Sequence, residues 1–113
     1  MRTKTINIAG KEVTLAYCYA TEIAFARYTG VSIDKFDASN PEHILYLIIS
    51  ATISWSESQG KEPAIKDEDL MYKTKPKELV SAVGEILKLR SEWYEIPISE
   101  PEEEEEKEEP KNV

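Results

Sequence analysis

Asn40-Pro41-Glu42-His43-Ile44-Leu45-Tyr46-Leu47-Ile48-Ile49-Ser50-Ala51-Thr52-Ile53-Ser54-Trp55-Ser56-Glu57-Ser58-Gln59-Gly60 is the stretch whose reading decides the fold. Its start is set by residue chemistry. Asn40 offers a side-chain oxygen to the free N–H groups of a first helical turn, Pro41 fits that turn, and Glu42 complements the positive end of the helix dipole. The pattern predicts a helix ending near Gln59-Gly60, about 18 residues and about 27 Å long at 1.5 Å per residue. Its apolar positions, Ile44, Leu45, Leu47, Ile48, Ile49, Ala51, Ile53 and Trp55, do not fit one stripe, so more than one side of this helix must be covered. Either it is the central helix of the fold, or one face is kept for another protein. On the second reading, the outward face carries Tyr46, Ile49, Ile53 and Trp55 as candidate partner-binding residues.

Toward the N-terminus, Thr5-Ile6-Asn7-Ile8 and Val13-Thr14-Leu15-Ala16-Tyr17 alternate apolar with smaller or polar residues, the period of a strand with one buried face. Ala9-Gly10-Lys11-Glu12 lies between them, and Gly10 takes positive φ at low cost, which predicts a short β-hairpin. An isolated hairpin is marginal in water, so the Ile6, Ile8, Val13, Leu15 face must pack on helices. From Tyr19 to Tyr28 the period becomes helical, with Ala20, Ile23, Ala24 and Arg27 or Tyr28 sharing a face and Gly30 placed to end the helix.

Toward the C-terminus, residues 60–65 read as a loop and Lys66-Asp67-Glu68-Asp69-Leu70-Met71 as a short helix with an acidic first turn. Thr74 and Pro76 begin a further helix, in which Leu79, Val80, Val83, Ile86, Leu87, Arg90, Trp93 and Tyr94 keep helical spacing and are read as one inward face. The fold class is therefore α+β: an N-terminal hairpin packed on a bundle of three to four helices. Residues 1–96 form a single domain. Residues 97–113 form an acidic tail expected to be disordered, because its glutamate run cannot bury enough apolar surface to offset its ordering entropy.

Composition narrows the function classes. The 113 residues are 41% hydrophobic and 32% charged, which suits one globular domain. The longest apolar run, Ile44 to Ile49, is far short of the roughly 20 residues that span a bilayer, and the N-terminus lacks a secretory h-region. Cys18 is the only cysteine, so no intrachain disulfide forms and the chain suits a reducing compartment, the cytoplasm. Of the net charge of −8, the segment 97–113 holds −6, with eight glutamates against Lys107 and Lys111, and the rest is close to neutral. No basic stripe offers itself to phosphates, so nucleic acid is not an expected partner.

No catalytic constellation is expected. Cys18 and His43 would be the only thiolate–imidazole pair, but Cys18 ends a predicted strand, where a small buried residue is the ordinary reading, and His43 sits in a first helical turn, where a surface role is commonest. A metal site would need carboxylates for most of its ligands, and Asp67-Glu68-Asp69 is explained by helix capping. The four glycines are isolated, so no phosphate loop or cofactor fingerprint occurs. Trp55 and Trp93 fit either interface anchors or core residues.

Taken in order, Ile6-Asn7-Ile8-Ala9-Gly10-Lys11-Glu12-Val13-Thr14-Leu15, the helix closing on Tyr28-Thr29-Gly30, the long apolar helix, Asp67-Glu68-Asp69-Leu70, the Pro76-Lys77-Glu78-Leu79-Val80 helix start and the charged tail resemble the tail assembly chaperones of long-tailed bacteriophages and prophages, in the form found in Bacteroides-type genomes. The likeness spans residues 4 to 96 and is one of layout, with no catalytic motif to match. It implies a non-enzymatic cytoplasmic protein that binds the tape measure protein and keeps it soluble until tail tube subunits polymerise around it. It further implies self-association into a homo-oligomer, contact with the tail tube protein through a C-terminal extension, and absence from the mature virion. Two rival readings stand beside it: a small acidic regulatory or anti-defence protein that mimics nucleic acid, and a structural subunit of a larger enzyme.

Overall fold

The computed structural model describes residues 1–95. Strands β1 (Thr3–Ile8) and β2 (Lys11–Ala16) pair antiparallel, with Ile6 opposite Val13 and Ile8 opposite Lys11. The connection is two residues long, and both take left-handed φ, 55° at Ala9 and 74° at Gly10. That is the backbone of a twisted two-residue hairpin turn, which glycine adopts freely and alanine at a cost of about 1 kcal/mol. The inward face is the expected one: Ile8, Val13 and Leu15 are fully buried and Ile6 packs against them, while Thr5 and Thr14 join hydroxyls at 3.0 Å on the outer side.

Helix α1 (Tyr19–Thr29) stops at Gly30, whose φ of 81° and N–H bond to the Ala26 carbonyl close the last turn. A 3-10 turn at Ile33–Lys35 leads to α2 (Pro41–Ser58), where Asn40 Oδ1 accepts from the N–H groups of Glu42 and His43. A short α3 (Asp67–Tyr72) and the long α4 (Pro76–Glu95) complete the described chain. The α+β architecture, a hairpin on four helices, is as the sequence predicts. The expected disordered tail lies outside the described residues.

Helix α2 is central: it contacts β2, α1, α3 and α4. Leu47, Ile48 and Ala51 are fully buried, and Thr52, Ser54 and Ser56 are buried with them because each finds an oxygen nearby, whereas the buried Ser50 hydroxyl has no partner. Thr52 and Ser56 bond back to carbonyls of their own helix, and Ser54 Oγ lies 2.8 Å from the hydroxyl of Thr21. Among the described residues, no helix is long and apolar enough to cross a membrane.

Two helix faces depart from the sequence reading. In α1 the buried residues are Thr21 and Phe25, whereas Ile23 and Tyr28 are about half exposed and Ala20 is exposed. Thr21 wins the inward place because its hydroxyl is matched twice, to Ser54 and to the Ala16 carbonyl at 3.2 Å. In α4 the buried residues are Ala82, Val83, Ile86 and Leu89, so Val80, Leu87 and Tyr94 point outward. A single inward face holding all eight expected positions of α4 does not exist.

Candidate functional site: an apolar groove along the second helix

Glu42, Tyr46, Ile49, Ile53 and Glu57 follow one another at steps of three and four, so they form a line along one side of α2, about 22 Å long. The chain does not bury this side fully. At its N-terminal half a depression of about 540 Å³ opens between Ile44, Leu45 and Tyr46 of α2, Met71 and Tyr72 of α3, and Leu79 of α4. Met71 is shared with a second depression, whose walls are Tyr28, Ile49, Ile53 and the 62–68 segment. Tyr28 and Ile53 are shared in turn with a third, beside Ile23 and Ala24 of α1. The Tyr46 and Tyr28 rings stack at 4.8 Å, 5° from parallel, and join the first depression to the others. Together the three adjoining depressions make a groove along α2.

Three of the four residues expected on the outward face of α2 therefore meet here, in different roles. Tyr46 and Ile53 are half-buried wall residues. Ile49 is only 3% exposed, so it is floor and core together and not an outward residue, because α3 and its preceding segment close over it. Trp55 is half-buried and absent from the groove, since two residues beyond Ile53 is about 200° around the helix. The expectation missed Ile23, Tyr28, Met71 and Tyr72. Met71 and Tyr72 end a six-residue helix too short for a period to show, and the α1 pair carried the apolar spacing that was assigned to the core.

The rim is acidic. Glu42, Glu57, Glu62, Asp67 and Glu68 border the three depressions, against Arg27 and Lys66. The Tyr28 hydroxyl registers that field: its pKa is raised, first by burial and then by Asp67, Tyr46 and Glu57. Asp69 faces away from solvent and holds α3 in place. Its carboxylate accepts from the Lys66 N–H at 3.0 Å and pairs with Lys11 and Lys73, which lowers its pKa to about 2. The hairpin turn and the groove wall are thus tied through one side chain.

The residues considered for chemistry have structural partners. His43 Nδ1 accepts from the Asp37 N–H at 3.0 Å, and its ring lies against Phe25 and Phe36. Cys18 precedes α1, its N–H bonded to Thr21 Oγ1 at 3.1 Å. Trp93 packs edge-on against Tyr19 and near Tyr17. No group of three or more His, Cys, Asp or Glu among the described residues is placed to hold a metal ion. No protein-family profile matches the chain, and no curated protein or solved structure matches it either.

Proposed function

We propose that this protein is a cytoplasmic assembly chaperone of the long-tailed bacteriophage type, which binds the tape measure protein and keeps it in solution until tail tube subunits surround it. The observation that carries the reading is the groove: an apolar trough about four helical turns long on a small protein, lined by aromatic and methionine side chains and edged with carboxylates. Such a surface fits the apolar face of a helix laid into it, and methionine adapts to anchors of different shape. The acidic rim favours a client helix with lysine or arginine beside its apolar face. It disfavours the chain's own glutamate-rich C-terminal segment as occupant. Absence from the finished particle and contact with the tube protein belong to the same proposal.

The test is co-expression with a long-tailed phage tape measure protein, read as the soluble fraction of that client. The wild-type chain raises it, and the Tyr46→Asp, Met71→Asp double variant does not. A client equally insoluble with and without the chain sinks the proposal. Truncation after residue 96 separates it from nucleic-acid mimicry, because client binding survives the truncation and mimicry by the acidic tail does not.

A further inference from the structure

The exposed side of α4 carries lysines and, until its last residue, no carboxylate. Lys77, Ser81, Gly84, Lys88, Ser91 and Glu95 are all exposed and advance by four and three residues in turn, so they share one line along the helix. Glu85 and Glu92 stand about 60° to 80° to one side of that line. Glu92 is paired with Arg2 at 3.7 Å, and Glu85 reaches Lys88 only at 3.9 Å. Just before the helix come Lys75 and Lys73, also exposed, at the positive end of the α4 dipole. The hairpin brings Lys11 to the same place: the nearly buried Asp69 carboxylate is shared by Lys11 at 3.2 Å and Lys73 at 3.4 Å. Glu78 is turned to the Ala9 N–H. Lys75 and Lys77 have no ion-pair partner among the described residues. The sequence shows no basic stripe because the fold assembles this one from the hairpin, the α3–α4 connection and α4.

Charge and reach together select the occupant. The chain has a net charge of −8, and its segment 97–113 alone holds eight glutamates against Lys107 and Lys111. That segment follows closely on Glu95, at the end of the same line. Lys77 lies back along α4 from Glu95 by about 27 Å at 1.5 Å per residue. An extended chain advances about 3.3 Å per residue, so residues 102–106, all glutamate, can lie about 23 to 36 Å from Glu95, level with Lys77 and the lysines before it. Because the segment is tethered, it meets these lysines at an effective concentration on the order of millimolar, ahead of any free polyanion, nucleic acid included.

We propose that residues 102–106 dock in cis on Lys77, Lys75 and Lys73, with the residues before them running back along α4 past Lys88. The contact is ionic and exposed, so it is weak for each pair and is lost at high salt. It holds the polyglutamate away from the acidic rim of the groove and closes the lysine track to other acidic chains.

Proton–nitrogen correlation spectra of the full chain at low salt test this, against a full chain in which residues 102–106 are all changed to glutamine. Amide shift differences fall on Lys73, Lys75, Lys77, Ser81, Gly84 and Lys88 and are absent at Tyr46 and Ile53 in the groove. They vanish in about 0.5 M salt, where screening leaves a reach of only a few ångströms. Introducing Lys75→Glu and Lys77→Glu into both chains abolishes the differences and leaves the circular dichroism spectrum unchanged, since both positions are exposed. Differences that are missing at the track, or that fall elsewhere on the surface, overturn the proposal. Differences that grow with protein concentration put the glutamates of a second copy on the track and overturn docking in cis. A short DNA duplex leaves the track amides of the wild-type chain in place; if it moves them, the site belongs to nucleic acid and the proposal fails.

Discussion

The two sides of α2 are made of different residues and answer to different demands. Toward β2 and α4 it presents Leu47, Ile48 and Ala51 with Ser50 and Ser54 between them, all buried. Toward α1 and α3 it presents Tyr46, Ile49 and Ile53, and here closure is partial, with Met71 at 57% and Tyr72 at 78% exposed. The closed side mixes small hydroxyls into aliphatic packing and satisfies nearly all of them internally. The open side uses large, adaptable side chains and leaves them edged with carboxylates. A core needs fixed, matched shapes, whereas a surface for another chain needs reach. The contrast is what makes the groove a site and not an unfinished core.

The largest effects should come from the closed side and from the groove floor. Leu47→Ala removes a fully buried side chain and should cost about 3 kcal/mol in urea unfolding. Ile49→Asp places a carboxylate under α3 and should prevent cooperative folding altogether, seen as loss of a sigmoidal thermal transition. A folded, merely binding-deficient Ile49→Asp protein would mean that α3 moves away and that the floor is open. Next in size is the wall. Tyr46→Asp and Met71→Asp should each weaken client binding by ten-fold or more and lower stability by only about 1 kcal/mol, since neither is enclosed. If binding and stability fall together, the two sides of α2 are one core.

Much of this was readable in the residues, and the misreadings have physical causes. The hairpin, the Asn40 cap, the Gly30 stop and the centrality of α2 follow from local backbone chemistry and an apolar surplus that tertiary contacts do not alter. Orientation failed where a helix has two apolar stripes. The spacing of Ala20, Ile23, Ala24 and Tyr28 is a sound inward pattern, and the burial of Phe25 against Phe36 and His43, together with the pairing of Thr21 with Ser54, 33 residues away, turns α1 so that Thr21 and Phe25 go in. In α4, Val80, Leu87 and Tyr94 keep helical spacing with the core residues, so period alone could not tell which side was left over. The groove wall at Met71 and Tyr72 depends on where a six-residue helix docks, which no local period encodes.

A smaller effect concerns the bond network that positions that wall. Asp69 has its pKa lowered to about 2 from the ordinary 3.8, by the Lys66 N–H first and then by Lys11. A depressed carboxylate contributes stability that is whole above its unfolded pKa and is lost as pH falls through the folded one. The contribution should therefore be full above about pH 4 and disappear toward pH 2. Thermal midpoints of Asp69→Asn should be lower than wild type at pH 7 and converge on it at pH 2. Parallel pH profiles would show that another carboxylate carries the acid limb.

The smallest effect is the sharpest test of the outward reading of α1. Ile23 is 50% exposed and lines the last part of the groove. If it served the core, as its spacing suggests, Ile23→Ser would cost about 2 kcal/mol or more. As an outward residue it should change the unfolding free energy by no more than about 0.5 kcal/mol. The paired substitution Phe25→Ala, two residues along the same helix, should cost about 3 kcal/mol, because Phe25 is fully buried between Phe36 and His43. The difference between these two values measures how far α1 has turned. A small Ile23 effect joined to a measurable loss of client binding would mean that this helix gives its greasier side to the partner and its hydroxyl-bearing side to the fold.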